Sequence, residues 1–421
     1  MTSKPPFVWA WTPGATHPVV AGRLQQLADG RFGFVYGQSY QRLPQAVALG
    51  PDLPLEAGLI VPTSPSMVMP GTIRDACPDG WGQRVIHYML TGHAETNDPD
   101  WPTYMLTSES NRTGALDFQA SPVTYTPRGR PSDLKVLLRA AGDVLAGLPI
   151  DPTLGAAIVH GTSVGGARPK VTLCGADGDF IVKMSTSTDP YPVERYEETA
   201  MELARRAGLP TAHTHLLESG GRDLLVVRRF DREGAFRRQM VSGLTLLGLN
   251  EMGARYATYP DLLDALRPRH TFDSKLGPRL FQQIAVRIAL GDTDDHARNI
   301  AAFWNGQDLE LTPAYDIAPG LRAGESASQA MAYGRNGERE SNFASLVACA
   351  PIYGLDQKGA RHVIDQIIDV VHAEFNEAAD AGRLTAADRV AMRGRQVLNP
   401  GVMHGYGPPI WTLPSPIAPK H

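Results

Sequence analysis

The stretch Leu280–Leu290 sets Leu280, Ile284 and Ile288 four residues apart, with Ala285 and Ala289 beside them, which predicts a helix with a buried face. It runs directly into Gly291-Asp292-Thr293-Asp294-Asp295-His296-Ala297-Arg298-Asn299. This junction constrains the fold more than any other feature. The chain must leave a buried helix while carrying three carboxylates within four residues. Such a cluster repels itself unless a cation or hydrogen bonds compensate. A polar cap on a helix end is the plain reading of the run. A loop built to use one of the carboxylates is the functional one.

The bulk of the chain is that of a soluble globular protein. Its 421 residues allow two or three domains at roughly 100–200 residues each. Apolar residues make up 43% and charged residues 20%. Forty basic and 44 acidic side chains give a net charge of −4, which exerts no overall pull toward nucleic acid or an anionic membrane. Cys77, Cys174 and Cys349 are far apart and odd in number, so reduced thiols are expected rather than a disulfide framework or a metal site. Met1–Thr16 lacks the apolar run of a signal peptide, and no stretch of about 18 apolar residues occurs. The expected location is the cytoplasm.

Residues 7–120 predict a mostly β module. Phe32, Phe34 and Tyr36 alternate with smaller residues, and Gly and Pro signals break the pieces. Gln83–Leu90 looks helical. Thr126–Ser132 predicts a linker, and Ser132 can cap a helix running to about Leu148. From Gly161 onward, strands are expected at Val171–Leu173, Phe180–Lys183 and Leu224–Phe230. Helices are expected at Glu194–Ala207 and Arg361–Ala379, and the Pro- and Gly-rich tail from Asn399 is expected to lack regular structure.

Three further segments join the aspartate run. Ser163-Val164-Gly165-Gly166-Ala167-Arg168-Pro169-Lys170 lies before a strand, and its glycines would let backbone N–H groups approach a phosphate. It is not a Walker A loop, and a Gly-Gly turn alone serves structure as readily. Lys183 closes an apolar strand just after that loop, as the phosphate-pairing lysine of kinases does. Glu197 or Glu198 on the next helix could hold it, Glu197 having the better spacing. Asp294 precedes Asn299 by the five residues that separate a kinase's catalytic aspartate from its metal-binding asparagine, a spacing Asp295 lacks. Leu309–Ile317 predicts an apolar strand ending in Asp316, where kinases need a second carboxylate for Mg²⁺. Val226–Arg232 falls where a kinase hinge would lie, with backbone near Arg228–Phe230 and the Phe230 ring available to adenine.

Assembled, these residues resemble the HipA-type toxins of bacterial toxin–antitoxin systems. The resemblance rests on Thr162–Lys170, Glu197 with Leu203-Ala204 and Gly208, Arg229–Arg232, Asp292–Asn299 and Pro313–Asp316. It continues through Phe34–Tyr36, Leu53–Leu55, Pro78–Trp81 and Gly114–Leu116. It implies an α/β (α+β), protein-kinase-like two-lobed fold, with a β-rich N-terminal module and a mostly helical C-terminal lobe. The expected segments are residues 1–130 (N-terminal module), 131–260 (phosphate loop and hinge), 261–398 (catalytic and metal-binding loops) and a tail, 399–421. It implies an ATP- and Mg²⁺-dependent serine/threonine protein kinase with Asp294 as catalytic base and Asn299 and Asp316 as metal ligands. ATP would be contacted by Ser163, Val164, Gly165, Gly166, Ala167, Arg168, Lys170, Lys183, Glu197, Arg228, Arg229, Phe230, His296 and Arg298. Ser163 matches the serine that such toxins autophosphorylate to switch themselves off. Family members act on an aminoacyl-tRNA synthetase, arrest growth and promote persistence. They pair with a helix-turn-helix, HipB-like antitoxin, through which they meet DNA. A catalytically silent scaffold or a small-molecule kinase are the competing readings.

Overall fold

A computed structural model describes residues 4–91, 99–129, 134–146, 165–166, 168–175, 178–186, 188–269 and 275–411. The first sheet is antiparallel and contains β1 (Phe7–Ala10), β2 (Val19–Gln26), β3 (Phe32–Tyr36), β4 (Leu59–Ile60) and β5 (Leu116–Gln119), in the order β4-β3-β2-β1-β5. The alternation seen at Phe32, Phe34 and Tyr36 falls in β3, and all three side chains are buried with Val8, Leu24 and Phe118. Tyr36 keeps its hydroxyl satisfied there, donating to Leu53 O (2.7 Å) and accepting from Leu49 N (2.9 Å). This region is less purely β than its sequence predicts. Helices Gly71–Asp75, Gly80–Thr91 and Trp101–Thr107 are inserted between β4 and β5. Their buried Ile73, Val85 and Met105 tie them to the sheets.

A second sheet holds β6 (Lys170–Gly175), β7 (Gly178–Met184), β8 (Thr214–Ser219) and β9 (Arg222–Arg228), in the order β6-β7-β9-β8. Its register divides the side chains by face. Val171 lies opposite Val182, which lies opposite Val226. Lys170 lies opposite Lys183, which lies opposite Leu225. The valine face packs on Trp81, Val85 and the helix Leu134–Ala146, through Leu137, Ala140, Ala141 and Val144. The lysines therefore share the other face. The strand expected to reach Phe230 ends at Arg228, and Arg229 N makes the last bond of its ladder to β7, donating to Asp179 O (2.9 Å).

Beyond that turn a buried ionic knot forms. Arg229 and Arg232 both donate to Asp231. Arg229 also donates to the Asn111 carbonyl and side-chain oxygens (both 2.9 Å), and Arg232 to Gly114 O (2.8 Å). Gly114 N donates back to Asp231 (2.9 Å). Burial alone would raise the Asp231 carboxyl, but the two guanidinium groups outweigh it and hold it well below the usual carboxylate range. Next come a short hairpin, β10 (Arg232–Glu233) with β11 (Phe236–Arg237), and a sheet in which β12 (Gln239–Ser242) pairs with β13 (Ala301–Trp304) and β13 with β14 (Leu309–Leu311).

Contacts group the chain into two compact units, each assembled from separate stretches. One comprises Met1–Thr188, Leu217–Glu251 and Ala301–Thr312. The other comprises Asp189–Leu216, Met252–Ile300 and Pro313–His421. The second is helical, and its helix Gln357–Ala381 packs against Val193–Arg206 and Leu276–Leu290. Arg206 bridges the first two of these by ion pairs to Glu374 (2.7 Å) and Glu377 (2.6 Å). Of the tail expected to lack regular structure, the described part, up to Trp411, is packed. Pro400–Met403 forms a 3₁₀ turn with Val402 and Met403 buried, and the Trp411 ring lies against Phe375 and His372. All three cysteines are free, and among the described residues no helix is long and apolar enough to cross a membrane.

Asp231→Ala leaves two buried guanidinium groups facing each other, so it should cost about 3–5 kcal/mol, read as a lowered midpoint of denaturant unfolding. The depressed carboxyl contributes its full share of stability above about pH 4. That share is lost as pH falls further toward its folded-state value. The wild-type advantage over Asp231→Ala should therefore shrink in acid.

Candidate active site

The helix Leu276–Leu290 stops at Gly291, whose φ of 73° lies in the left-handed region. A Cβ there would also strike the Gln396 carbonyl, so glycine is required on both counts. One turn before the stop, the side chain of Arg287 is completely buried. It ion-pairs with Asp292 and donates to Tyr315 O (3.1 Å), Asn299 O (3.3 Å) and Asp316 O (3.4 Å). One guanidinium thus fixes the loop's start, its end and the Tyr315-Asp316 segment.

The three aspartates then separate by role. Asp292 is spent on Arg287 and on Asp294 N, which donates to it (3.2 Å). Asp295 is buried and accepts from Tyr259 OH (2.9 Å) and Ala330 N (2.7 Å). Asp294 is exposed. Asn299 is buried and donates its Nδ2 to Asp294 O (3.1 Å), which leaves its amide oxygen as the atom to offer a ligand. His296, half-buried, spans the turn through its backbone: its N–H donates to Asp294 O (2.8 Å) and its carbonyl accepts from Asn299 N (2.8 Å). Arg298 O accepts from Tyr315 OH (2.7 Å).

Asp316 does not end a strand as its sequence predicts. β14 stops at Leu311; Pro313 has no N–H to continue a ladder, and Ala314 N donates to Pro210 O (2.8 Å) instead. Asp316 then takes a φ of 57°, a left-handed conformation that costs a non-glycine residue roughly 1–2 kcal/mol. Such strain persists where the surroundings over-determine it, as the Arg287 bonds on both sides of this peptide do.

Burial raises the Asp292 carboxyl to about 7, with Asp295 and Asp316 pushing the same way and Arg287 opposing. Burial likewise raises Asp295 to about 6. Negative charge in this loop is crowded, and a cation would relieve it. Among the described residues no group of three or more His, Cys, Asp or Glu side chains is placed to hold a metal. Mg²⁺ needs no such cage, since it takes one or two protein oxygens and completes its shell with water and phosphate. The Asn299 amide oxygen and the Asp316 carboxylate suit that demand.

In the other unit, Gly165 is exposed and Gly166 has a φ of 108°, close against the Lys170 ammonium. Lys170 Nζ donates to Gly165 O (2.5 Å). Arg168 is half-buried. Lys170 and Lys183 form a cross-strand pair that puts two ammonium groups on one face, where an anion would offset their repulsion. Ser163, Val164 and Ala167 lie outside the described residues. Arg228 is exposed at the end of β9, opposite Phe180. The Arg229 side chain is committed to the ionic knot, and Phe230 lies edge-on to Phe303. Glu197 and Glu198 are buried in the helix Val193–Arg206 rather than solvated on its surface.

Sequence reasoning missed Arg287 and Tyr259. Arg287 had a signal: a lone charge on the buried face of an apolar helix needs a partner, and Asp292 follows five residues on. Tyr259 had none, since 36 residues separate it from Asp295.

Residues 162–375, half of the chain, match the HipA-like C-terminal domain family. The chain belongs to the HipA-like family. It is 24% identical over 326 residues to "Putative kinase Y4mE" of Sinorhizobium fredii, covering 71% of this chain and 74% of that one. Its fold is that of HipA from Shewanella oneidensis MR-1, solved in a complex of HipA, HipB and operator DNA. The TM-score is 0.62 at 18% identity, over 90% of this chain and 93% of that one. The Helicobacter pylori proinflammatory kinase CtkA aligns over 58% of this HipA-like chain and 94% of its own, at 15% identity and a TM-score of 0.35. The expected mixed α/β, kinase-like HipA fold is the one found.

Arg287→Met should cost about 3–5 kcal/mol in denaturant unfolding, because it strands Asp292 and three carbonyl groups without their buried donor. Asp294→Asn, on an exposed side chain, should shift stability by less than about 0.5 kcal/mol. Asp294 can therefore be substituted without unfolding the loop.

Proposed function

We propose that this protein is the toxin of a toxin–antitoxin pair and acts as a serine/threonine protein kinase on ATP with Mg²⁺. The observation that carries the reading is the sorting of three clustered aspartates. Two are consumed as buried anchors, and the exposed one is Asp294, which has the kinase spacing to Asn299. Phosphoryl transfer asks a protein mostly for positioning and charge neutralisation. Asp294 orients the substrate hydroxyl and accepts its proton as the oxygen bonds to the γ-phosphorus and ADP leaves. Asn299 and Asp316 would hold Mg²⁺, which would supply positive charge against that developing on the phosphates. Lys183, Lys170 and the glycine-loop amides answer the remaining phosphate charge. Backbone at Arg228–Phe230 and the Phe230 ring take the adenine.

Family membership supports the rest of the reading. The protein substrate is an aminoacyl-tRNA synthetase, whose phosphorylation stalls translation and favours persistence. The partner is a helix-turn-helix antitoxin, as HipB partners the Shewanella HipA on operator DNA. DNA is met only through that antitoxin, and the setting is the cytoplasm. Autophosphorylation of Ser163 adds about −1.5 to −2 charge beside the phosphate loop, which repels ATP and silences the enzyme.

Intact-mass and peptide mass spectrometry after incubation with Mg-ATP tests this directly. Wild type should gain one phosphate, on Ser163, and Asp294→Asn should gain none. Asp316→Ala should also abolish transfer and weaken Mg-ATP binding by calorimetry, whereas Asp294→Asn should leave binding near the wild-type level. No phosphate on a wild-type sample that starts unmodified and binds ATP would instead favour a scaffold or a small-molecule kinase.

A further inference from the structure

Trp81 sits near the start of the helix Gly80–Thr91 and is buried among Val85, Val171, Val182 and the helix Leu134–Ala146. Both of its N–H groups reach the glycine-loop segment. The backbone N–H donates to Gly166 O (3.0 Å), and the indole Nε1–H donates to Lys170 O (3.0 Å). The second bond follows from strand geometry. Met184 N donates to Pro169 O (3.1 Å), so antiparallel alternation turns the next carbonyl, that of Lys170, away from β7. β6 is the edge strand of its sheet, and the indole takes up that carbonyl on the side away from β7. Lys170 in turn donates its ammonium to Gly165 O (2.5 Å).

The carbonyl groups of Gly165, Gly166 and Lys170 are therefore all engaged by donors. This matters for an anion. A peptide plane carries its C=O and the following N–H on opposite sides, so holding the Gly165 and Gly166 oxygens fixes where the next N–H groups point, while the Lys170 plane carries the Val171 N–H into the β6–β7 ladder and anchors the loop's base. A loop that is to present N–H groups to phosphate must keep its carbonyl oxygens turned away.

We propose that Trp81 is a positioning residue for phosphate binding. Its indole pins the base of the glycine loop, and so it sets Mg-ATP affinity without touching the nucleotide. This rests on the kinase reading above for its ligand, but the brace itself is independent of turnover.

Trp81→Phe keeps an aromatic ring in the core and the backbone bond to Gly166, and removes the indole N–H together with one ring of buried packing, so exchange elsewhere in the protein serves as the control for the lost volume. In the full-length, nucleotide-free protein, amide hydrogen exchange in the peptide covering Gly165–Leu173 should rise about tenfold in this variant. Exchange in the helix Leu276–Leu290 should stay unchanged. In phosphoryl transfer, KM for Mg-ATP should rise about tenfold while kcat stays within twofold. Unchanged exchange at Gly165–Leu173 overturns the proposal, as does a fall in kcat with KM unaltered. Faster exchange throughout the protein assigns Trp81 a merely structural role and overturns it as well. Should wild type transfer no phosphate at all, the kinase reading fails by itself. The exchange comparison and calorimetric titration of both proteins with Mg-ATP then still decide whether the brace governs phosphate affinity.

Discussion

Arg287 carries a positive charge to the end of an apolar helix where water is excluded, and the candidate site is arranged around the need to satisfy it. Its guanidinium meets the Asp292 carboxylate and three carbonyl oxygens, from Asn299, Tyr315 and Asp316. An unpaired buried cation would cost several kcal/mol, so the loop and the Pro313–Asp316 segment have little freedom to move apart. The same bonds hold Asp316 in a backbone conformation that an aspartate avoids. The strain and the charge are two sides of one arrangement: the guanidinium fixes the carbonyl groups, and the carbonyl groups fix φ.

That arrangement also decides which carboxylate is available. Asp292 and Asp295 are pushed toward neutrality by burial, and each is held by donors from elsewhere in its unit. Asp294, between them in sequence, is turned outward. The two flanking aspartates define the shape from which Asp294 projects. A cluster that looked like three equivalent acids is one acid on a two-acid mount.

Spacing singled out Asp294 with Asn299, and order along the chain singled out Asp316. Periodicity placed the helices Val193–Arg206, Leu276–Leu290 and Gln357–Ala381 and the strand at Phe32–Tyr36, since each buries one regular face. Sequence reasoning failed where a partner distant in the chain decides the outcome. Leu309–Ile317 looked like one strand, but Ala314 pairs with Pro210 and Ala212, and the strand ends at Leu311. Asn399 onward looked loose, but Trp411 finds Phe375. β13 follows the aspartate loop directly yet pairs with β12, about sixty residues earlier in the chain. No local pattern announces such a pairing.

The choice between arginine and lysine follows the same logic. Where several carboxylate and backbone oxygens must be held at once, the chain uses arginine. Arg287 serves four acceptors in one unit, and Arg229 with Arg232 serve Asp231 and the Asn111–Gly114 carbonyl groups in the other. A planar fork with five donors can satisfy several oxygens at fixed angles, which an ammonium cannot. On the face of their sheet opposite the valines the chain instead carries Lys170 and Lys183. A lysine is a compact charge on a flexible stem, which cannot meet four acceptors at fixed angles. Lysine at position 287 would therefore leave carbonyl groups unmet.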